Sequence, residues 1–168
     1  MPQDSGAMHP KSHESLEDAV QQSLDEARMV LPGLQALFGF QLIAGFSERF
    51  GIDLDSTEQM LHLGAIALIG VAMALIMTPA AYHRQTNPSD VSQRLLKVAS
   101  STVSAALVPL MAGVCLDMYL VARLVTGRVV VSAVFALVLM AIFAALWFAY
   151  PNWERRRTWR AKQRSAQA

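Results

Sequence analysis

Asp117, His62 and Gln41 are the residues of this 168-residue chain whose chemistry departs most from their surroundings. Asp117 follows the run LMAGVCL and precedes MYLVA, so it is an acid within apolar sequence. A charged Asp at the centre of a membrane span costs roughly 2.5–3.5 kcal/mol on insertion scales. It is therefore expected to be paired, neutral or beside water. His62 falls near the start of a second apolar run, and Gln41 interrupts a first. Gln41 and Glu48 are seven residues apart, a spacing that puts both on one face of a helix continuing through them. Gln41, Glu48, Arg49, His62 and Asp117 are thus expected to form one intramembrane polar site. An Asp near a His can hold a proton or a small cation, as in proton relays. The same residues can equally form a structural ion pair that fixes helix packing. Arg49 and Arg123 can reach toward such a site along their stems, and Tyr119 and Cys115 are sequence neighbours of Asp117.

A second group sits at the other end of the same apolar run, where Tyr82-His83-Arg84 follow Pro79. With Trp153, Arg155, Arg156, Arg157 and Arg160 of the C-terminal tail, these residues suit lipid headgroups and the interface. Arg84 and His83 could contact a phosphate. The plainer reading is an aromatic and basic anchor. Each tail base near an anionic surface contributes about 1 kcal/mol. No nucleic acid is expected as a partner.

The elements that must carry these residues are apolar and long. Hydrophobic residues make up 54% of the chain, against about 45–50% in soluble domains. Four runs, residues 29–47, 59–83, 98–116 and 129–153, lack Asp, Glu, Lys and Arg. A helix rises about 1.5 Å per residue, so ~20 residues cross a ~30 Å hydrocarbon core. The expected fold is all-α, an integral membrane four-helix bundle preceded by an N-terminal amphipathic helix. The spans are placed at about 32–50, 57–82, 98–125 and 129–150 within a transmembrane domain of residues 29–153. Residues 1–28 form an acidic tail and residues 154–168 a basic one.

Local signals mark the boundaries. Residues 1–12 read as a disordered tail, and residues 14–28 as a short helix with apolar Leu16, Val20, Leu24 and Ala27. His9 and His13 straddle Pro10 and read as solvated, not as metal ligands. Pro32-Gly33 is expected to break or kink the chain before the first span, and Glu48-Arg49 to close it. A loop at 51–57 follows. Asp55 with Glu58, or Ser56 with Gln59, has capping-box spacing. Pro79 removes one backbone hydrogen bond, which Thr78 could offset. Residues 85–88 form a turn, after which Ser89 or Asp90 caps the third span. That span continues past Asp117 to about Thr126, where Gly127 stops it. Pro151 is expected to end the fourth, beyond the aromatic anchor Trp147, Tyr150 and Trp153. If the turn at Gly127 is tight, Asp117 lies about nine residues, ~13 Å, below it. Small residues such as Gly39, Gly45, Gly64, Gly70, Ala74 and Gly113 permit close helix approach.

Charge distribution gives an orientation. The N-terminal tail, the loop at 82–97 and the C-terminal tail carry eleven of the bases, and the other side carries Arg49, Arg123 and Arg128. The positive-inside rule then puts both termini in the cytoplasm. The single cysteine, Cys115, excludes an intrachain disulfide. No cleavable signal, CxxC, HExxH, Walker or dinucleotide motif is read, so no metal, cofactor or enzymatic activity is expected.

The segments PGLQALFGFQLIAGFSERF, LHLGAIALIGVAMALIMTPAAYHR, LVPLMAGVCLDMYLVARLVTG and LWFAYP resemble a family of small four-pass bacterial membrane proteins known only as a domain of unknown function. The resemblance runs from Asp25 to Pro151, with PAAYHR and GFQ…RF its most specific parts. It implies a location in the bacterial inner membrane. It implies no activity, substrate or cofactor, so no functional residue is carried over from it. Two functions are expected from the residues. The first is an interaction or scaffold protein working through its cytoplasmic helices, with a protein partner on residues 14–28 and anionic lipid on the tail. The alternative is a small oligomeric transporter or channel subunit with a proton- or cation-responsive site near Asp117 and His62.

Overall fold

The computed structural model describes residues 10–85, 93–154 and 157, and all of its regular structure is helical. The elements are α1 (Pro10–Gly45), α2 (Glu48–Asp53), α3 (Ser56–Gln85), α4 (Gln93–Thr126) and α5 (Val129–Ala144). A π-helical turn, Ala145–Ala149, extends α5, and the chain stays helical to Glu154. Among the described residues three helices are long and apolar enough to cross a membrane: Ser56–Tyr82, Lys97–Thr126 and Val129–Glu154. At about 1.5 Å per residue each exceeds a ~30 Å hydrocarbon core. The protein is a multi-pass membrane protein, and these helices expose many large apolar side chains.

α3 and α4 form the principal pair. The buried residues of α3 are Glu58, His62, Ala65, Ile69, Ala72, Ile76 and Pro79. Their steps alternate between four and three, the heptad pattern that keeps one seam facing a partner helix. The opposing seam of α4 is built on Ala99, Ala106, Gly113 and Leu120, each seven residues from the next. Lipid supplies no hydrophobic drive between helices, so association rests on close contact through small residues. At Gly113 a Cβ would stand 2.8 Å from Ile69 Cδ1 and 3.2 Å from the Ala65 carbonyl oxygen. Only glycine lets the two backbones approach this far.

α1 lies across both helices, with Leu34 and Gln41 buried among its described side chains, again seven apart. Leu34 joins Ile76 and Ala106 in an apolar cluster. α5 packs chiefly on α4, with Ser132 as its buried residue. The turn between α4 and α5 is tight. Gly127 takes φ +66°, the Thr126 hydroxyl accepts from the Arg128 N–H, and Ser132 Oγ donates to the Arg128 carbonyl.

Several boundaries differ from expectation. α1 begins at Pro10, so residues 10–12 are helical; proline suits a first helical turn, where no N–H partner is needed. Pro32 lies inside α1 without interrupting it, because a mid-helix proline removes one hydrogen bond and the neighbouring turns persist. The acidic arm and the first apolar segment are therefore one helix, not two. That helix ends at Gly45, earlier than expected, and α2 takes in both the expected end of the first span, Glu48-Arg49, and residues 51–53 of the segment taken for a loop. Asp55 and Glu58 form the capping box: Glu58 N donates to Asp55 Oδ1 at 2.8 Å, and Asp55 N to Glu58 Oε2 at 3.1 Å. Thr78 Oγ1 donates to the Ala74 carbonyl, so the Leu75 carbonyl freed by Pro79 is not its partner. Pro151 does not stop the last helix. The π-turn before it widens the backbone where the proline ring would meet the Trp147 carbonyl, and Phe143 stacks on Trp147 at 4.7 Å. The expected turn at 85–88 and the caps Ser89 and Asp90 fall largely outside the described residues.

Candidate functional site

The α3–α4 seam turns polar toward the end where α2 lies. Antiparallel registry sets His62 opposite Asp117 and, one turn further on, Glu58 opposite Arg123. α1 completes the first of these levels with Gln41.

Gln41 contacts both partners. Its side-chain Nε2 donates to Asp117 Oδ2. Its backbone carbonyl lies 3.0 Å from His62 Nε2, which must donate because the carbonyl can only accept. The imidazole thus turns Nδ1 toward Asp117 Oδ1, 3.7 Å away. Phe50 of α2 tilts against the other side of the ring, with centroids 5.0 Å apart. Gln41 and His62 are 4% and 8% exposed. Gln41 Oε1 is buried and has no hydrogen-bond partner.

These groups border a cavity of about 330 Å³. It exists because α1 stops at Gly45 while α4 continues to Thr126. The last turns of α4 have no α1 beside them, and the short α2 roofs the gap. Phe40, Phe50, Met118 and Val121 supply apolar wall. Phe40 and Val121 are 70% and 54% exposed, so the rim opens sideways between α1 and α4. Among the described residues, the acids lining it are Asp53 and Asp117, with no Lys or Arg beside them.

A second cleft, of about 340 Å³, adjoins the first through Asp53, Leu54 and Leu124. It contains Glu58 and Arg123, whose Oε1 and Nε are 2.9 Å apart. This is an ion pair by distance, with the N–H not directed along the contact. Glu58 also closes the capping box of α3, so one carboxylate fixes a helix start and neutralises Arg123.

Of the expected polar site, Gln41, His62 and Asp117 come together. Glu48 does not join them. It is exposed at the start of α2, because the helix breaks at Phe46-Ser47 and the seven-residue spacing from Gln41 loses its meaning. Arg49 lies in α2, with its side chain outside the described residues. Cys115 is buried, and neither it nor Tyr119 is among the residues lining the cavity. Glu58 and Phe50 were not anticipated at the site. The four–three spacing of Glu58, His62 and Ala65 was the signal that could have placed Glu58 on the seam.

At the opposite end, Tyr82 is half-buried and Arg84 exposed. The His83 side chain lies outside the described residues. Trp153 is exposed, with the Arg157 guanidinium 4.2 Å over its ring. Arg155, Arg156 and Arg160 also lie outside the described residues. Among the described residues no group of three His, Cys, Asp or Glu could hold a metal ion.

Neither the curated proteins nor the solved structures contain a match to this chain. A family model does match, over residues 10–151, a span that includes every helix and both polar pairs, and the chain accordingly belongs to DUF6328, a family of unknown function.

Proposed function

We propose that the working part of this protein is a proton- or cation-accepting site formed by Gln41, His62 and Asp117, in a small transporter or channel subunit. The observation that carries the reading is the facing of two acceptors. With His62 donating through Nε2, a neutral imidazole aims its Nδ1 lone pair at the Asp117 carboxylate. Two such groups at 3.7 Å are stabilised by a proton on one of them or by a cation beside them. The adjoining cavity gives that proton or cation a route in.

In this reading the apolar half of α1 makes a fourth crossing. Residues 29–45 reach only about 25 Å at 1.5 Å per residue, less than a ~30 Å core. The shortfall brings α2 to the interface, with Ile52 exposed to lipid. The positive-inside bias puts both termini in the cytoplasm of a bacterial inner membrane, so the site opens toward the periplasmic side. Four helices enclose little polar space, which favours a homo-oligomer.

The scaffold reading has one observation of its own: α1 is a single helix from Pro10 to Gly45. A protein bound on residues 14–28 would hold the same rod that carries Gln41.

Reconstituted protein tests the first reading. Infrared difference spectra between acidic and alkaline pH should show a carboxyl signal that Asp117→Asn removes. PH-dependent ion flux in proteoliposomes should fall in Asp117→Asn and in His62→Ala. Wild-type spectra and flux indistinguishable from those of both variants would overturn it.

A further inference from the structure

We infer that the cavity between α1 and α4 binds an amphipathic organic ammonium, with its head on Asp117 and its apolar body between Phe40, Phe50 and Met118. The inference deepens the proposed function and rests on Asp117 being the charge-bearing group.

Four observations lead to this class of ligand. The cavity volume of about 330 Å³ lies at the small end of ligand sites, which occupy roughly 300–1,000 Å³. Among the described residues its charge is of one sign, since Asp53 and Asp117 line it. Arg123, the nearest base in the adjoining cleft, is held by Glu58. An anionic ligand would meet like charge at both of these carboxylates.

Beside Asp117, the buried Gln41 Oε1 is an acceptor without a donor. An ammonium N–H can serve both oxygens, whereas a metal cation would need more oxygen ligands than this corner offers. The walls are apolar and carry two aromatic rings, which favour a cation with a hydrocarbon body over a hydrated inorganic ion.

The entrance fits the same class. The rim between α1 and α4 is made of Phe40, Met118, Val121 and Leu124, all exposed to the acyl region. A ligand that partitions into the bilayer can arrive sideways. Asp117 lies nine residues before Thr126, about 13 Å along the axis, which is too deep for the amine of a lipid headgroup. The ligand is therefore a free amine.

The test uses the full chain in phosphatidylcholine nanodiscs with 2-phenylethylammonium as the probe, and 3-phenylpropanol and 3-phenylpropionate as neutral and anionic controls. Calorimetry should give saturable binding of the ammonium, at least tenfold tighter than either control. Asp117→Asn should weaken it at least tenfold. Ala44→Phe, which adds bulk to the cavity wall and leaves Gln41, His62 and Asp117 themselves unchanged, should abolish binding yet retain the Asp117 carboxyl signal in the infrared. Binding of all three probes alike, or binding unchanged in Ala44→Phe, would overturn the inference. A wild-type protein that shows the Asp117 carboxyl signal but binds no ammonium would also overturn it, leaving the proton site standing. Absence of both binding and the carboxyl signal would remove the proton site as well.

Discussion

The Gln41 backbone carbonyl, 3.0 Å from His62 Nε2, decides which nitrogen His62 offers to Asp117. Main-chain geometry at the last turn of α1 thereby sets the chemistry of a pair between α3 and α4. A His–Asp pair usually meets through an N–H pointing at the carboxylate. Here that N–H is committed to a carbonyl, and the carboxylate faces the other nitrogen.

Nitrogen NMR checks this. In ¹⁵N-histidine protein at alkaline pH, His62 should show the Nε2–H tautomer, and Asp117→Asn should leave the tautomer unchanged because Gln41, not Asp117, selects it. A dominant Nδ1–H tautomer would show that the imidazole takes its orientation from the carboxylate instead.

The Gln41 side chain gives a second prediction. Asp117→Asn and Asp117→Ala both remove the charge, and only the first can still accept from Gln41 Nε2. The alanine variant leaves a buried amide without a partner, a cost of about 1–3 kcal/mol. In unfolding from detergent micelles, Asp117→Ala should therefore be less stable than Asp117→Asn by about that amount. Adding Gln41→Leu to Asp117→Ala should recover much of the difference. Equal stability of the two single variants would mean that the Gln41 contact contributes nothing.

Much of this architecture is legible in the chain, and what is not has identifiable causes. The end of α4 at Thr126 and the hairpin at Gly127 follow from local chemistry, so residue type sufficed; the capping box was narrowed to two registers, of which the structure shows Asp55 with Glu58. Pro151 misled, because it was read as a stop, whereas one lost hydrogen bond at the end of a long apolar helix is absorbed by the π-turn before it; at Pro32, where a break or a kink was expected, the helix is not broken. The cavity was invisible because it arises from a mismatch between the end of α1 and the end of α4, a three-dimensional fact with no local signature. Glu48 was grouped with Gln41 by a periodicity that holds only while the helix continues, and the two-residue break at Phe46-Ser47 cancels it. Depth along the axis brought His62 and Asp117 together correctly, since antiparallel neighbours joined by a tight turn share a register.

Gly113 is the packing residue whose change should be felt most. A Cβ there meets Ile69 Cδ1 at 2.8 Å, which can swing away, and the Ala65 carbonyl at 3.2 Å, which cannot. Gly113→Ala should cost about 1–3 kcal/mol by overpacking. Ile69→Val in the same chain should return only part of it, so the two effects will not add. Full rescue would show that the side chain, not the backbone, limits the approach of α3 to α4.

Topology can be read by labelling. Cys115 is the single cysteine and is buried, so a Cys115→Ala background removes little volume and frees the chain for single reporters. Cysteines at Asp53 and Gly127 should react with a membrane-impermeant maleimide added to intact cells, whereas those at Asp25, Arg84 and Trp153 should react only after permeabilisation. Labelling of Asp25 in intact cells would mean that α1 does not cross, which leaves three spans.

Glu58 has two carboxylate oxygens and two roles, and a charge exchange separates them. Oε1 stands 2.9 Å from Arg123 Nε, while Oε2 accepts the Asp55 N–H at 3.1 Å. The Glu58 side chain is only 9% exposed and that of Arg123 28%, so the pair is partly shielded from solvent screening. Glu58→Gln keeps an acceptor for Asp55 and should lose about 1 kcal/mol or less. Arg123→Met leaves a shielded carboxylate without its counter-charge and should lose about 1–3 kcal/mol. In the exchanged variant, Glu58→Arg with Arg123→Glu, opposite charges face again. A guanidinium has no acceptor for the Asp55 N–H, however, so the capping box stays open. The exchanged protein should therefore remain about 1 kcal/mol below wild type, the usual worth of an N-terminal cap. Recovery to wild-type stability would show that the ion pair alone holds the α2 end of the seam.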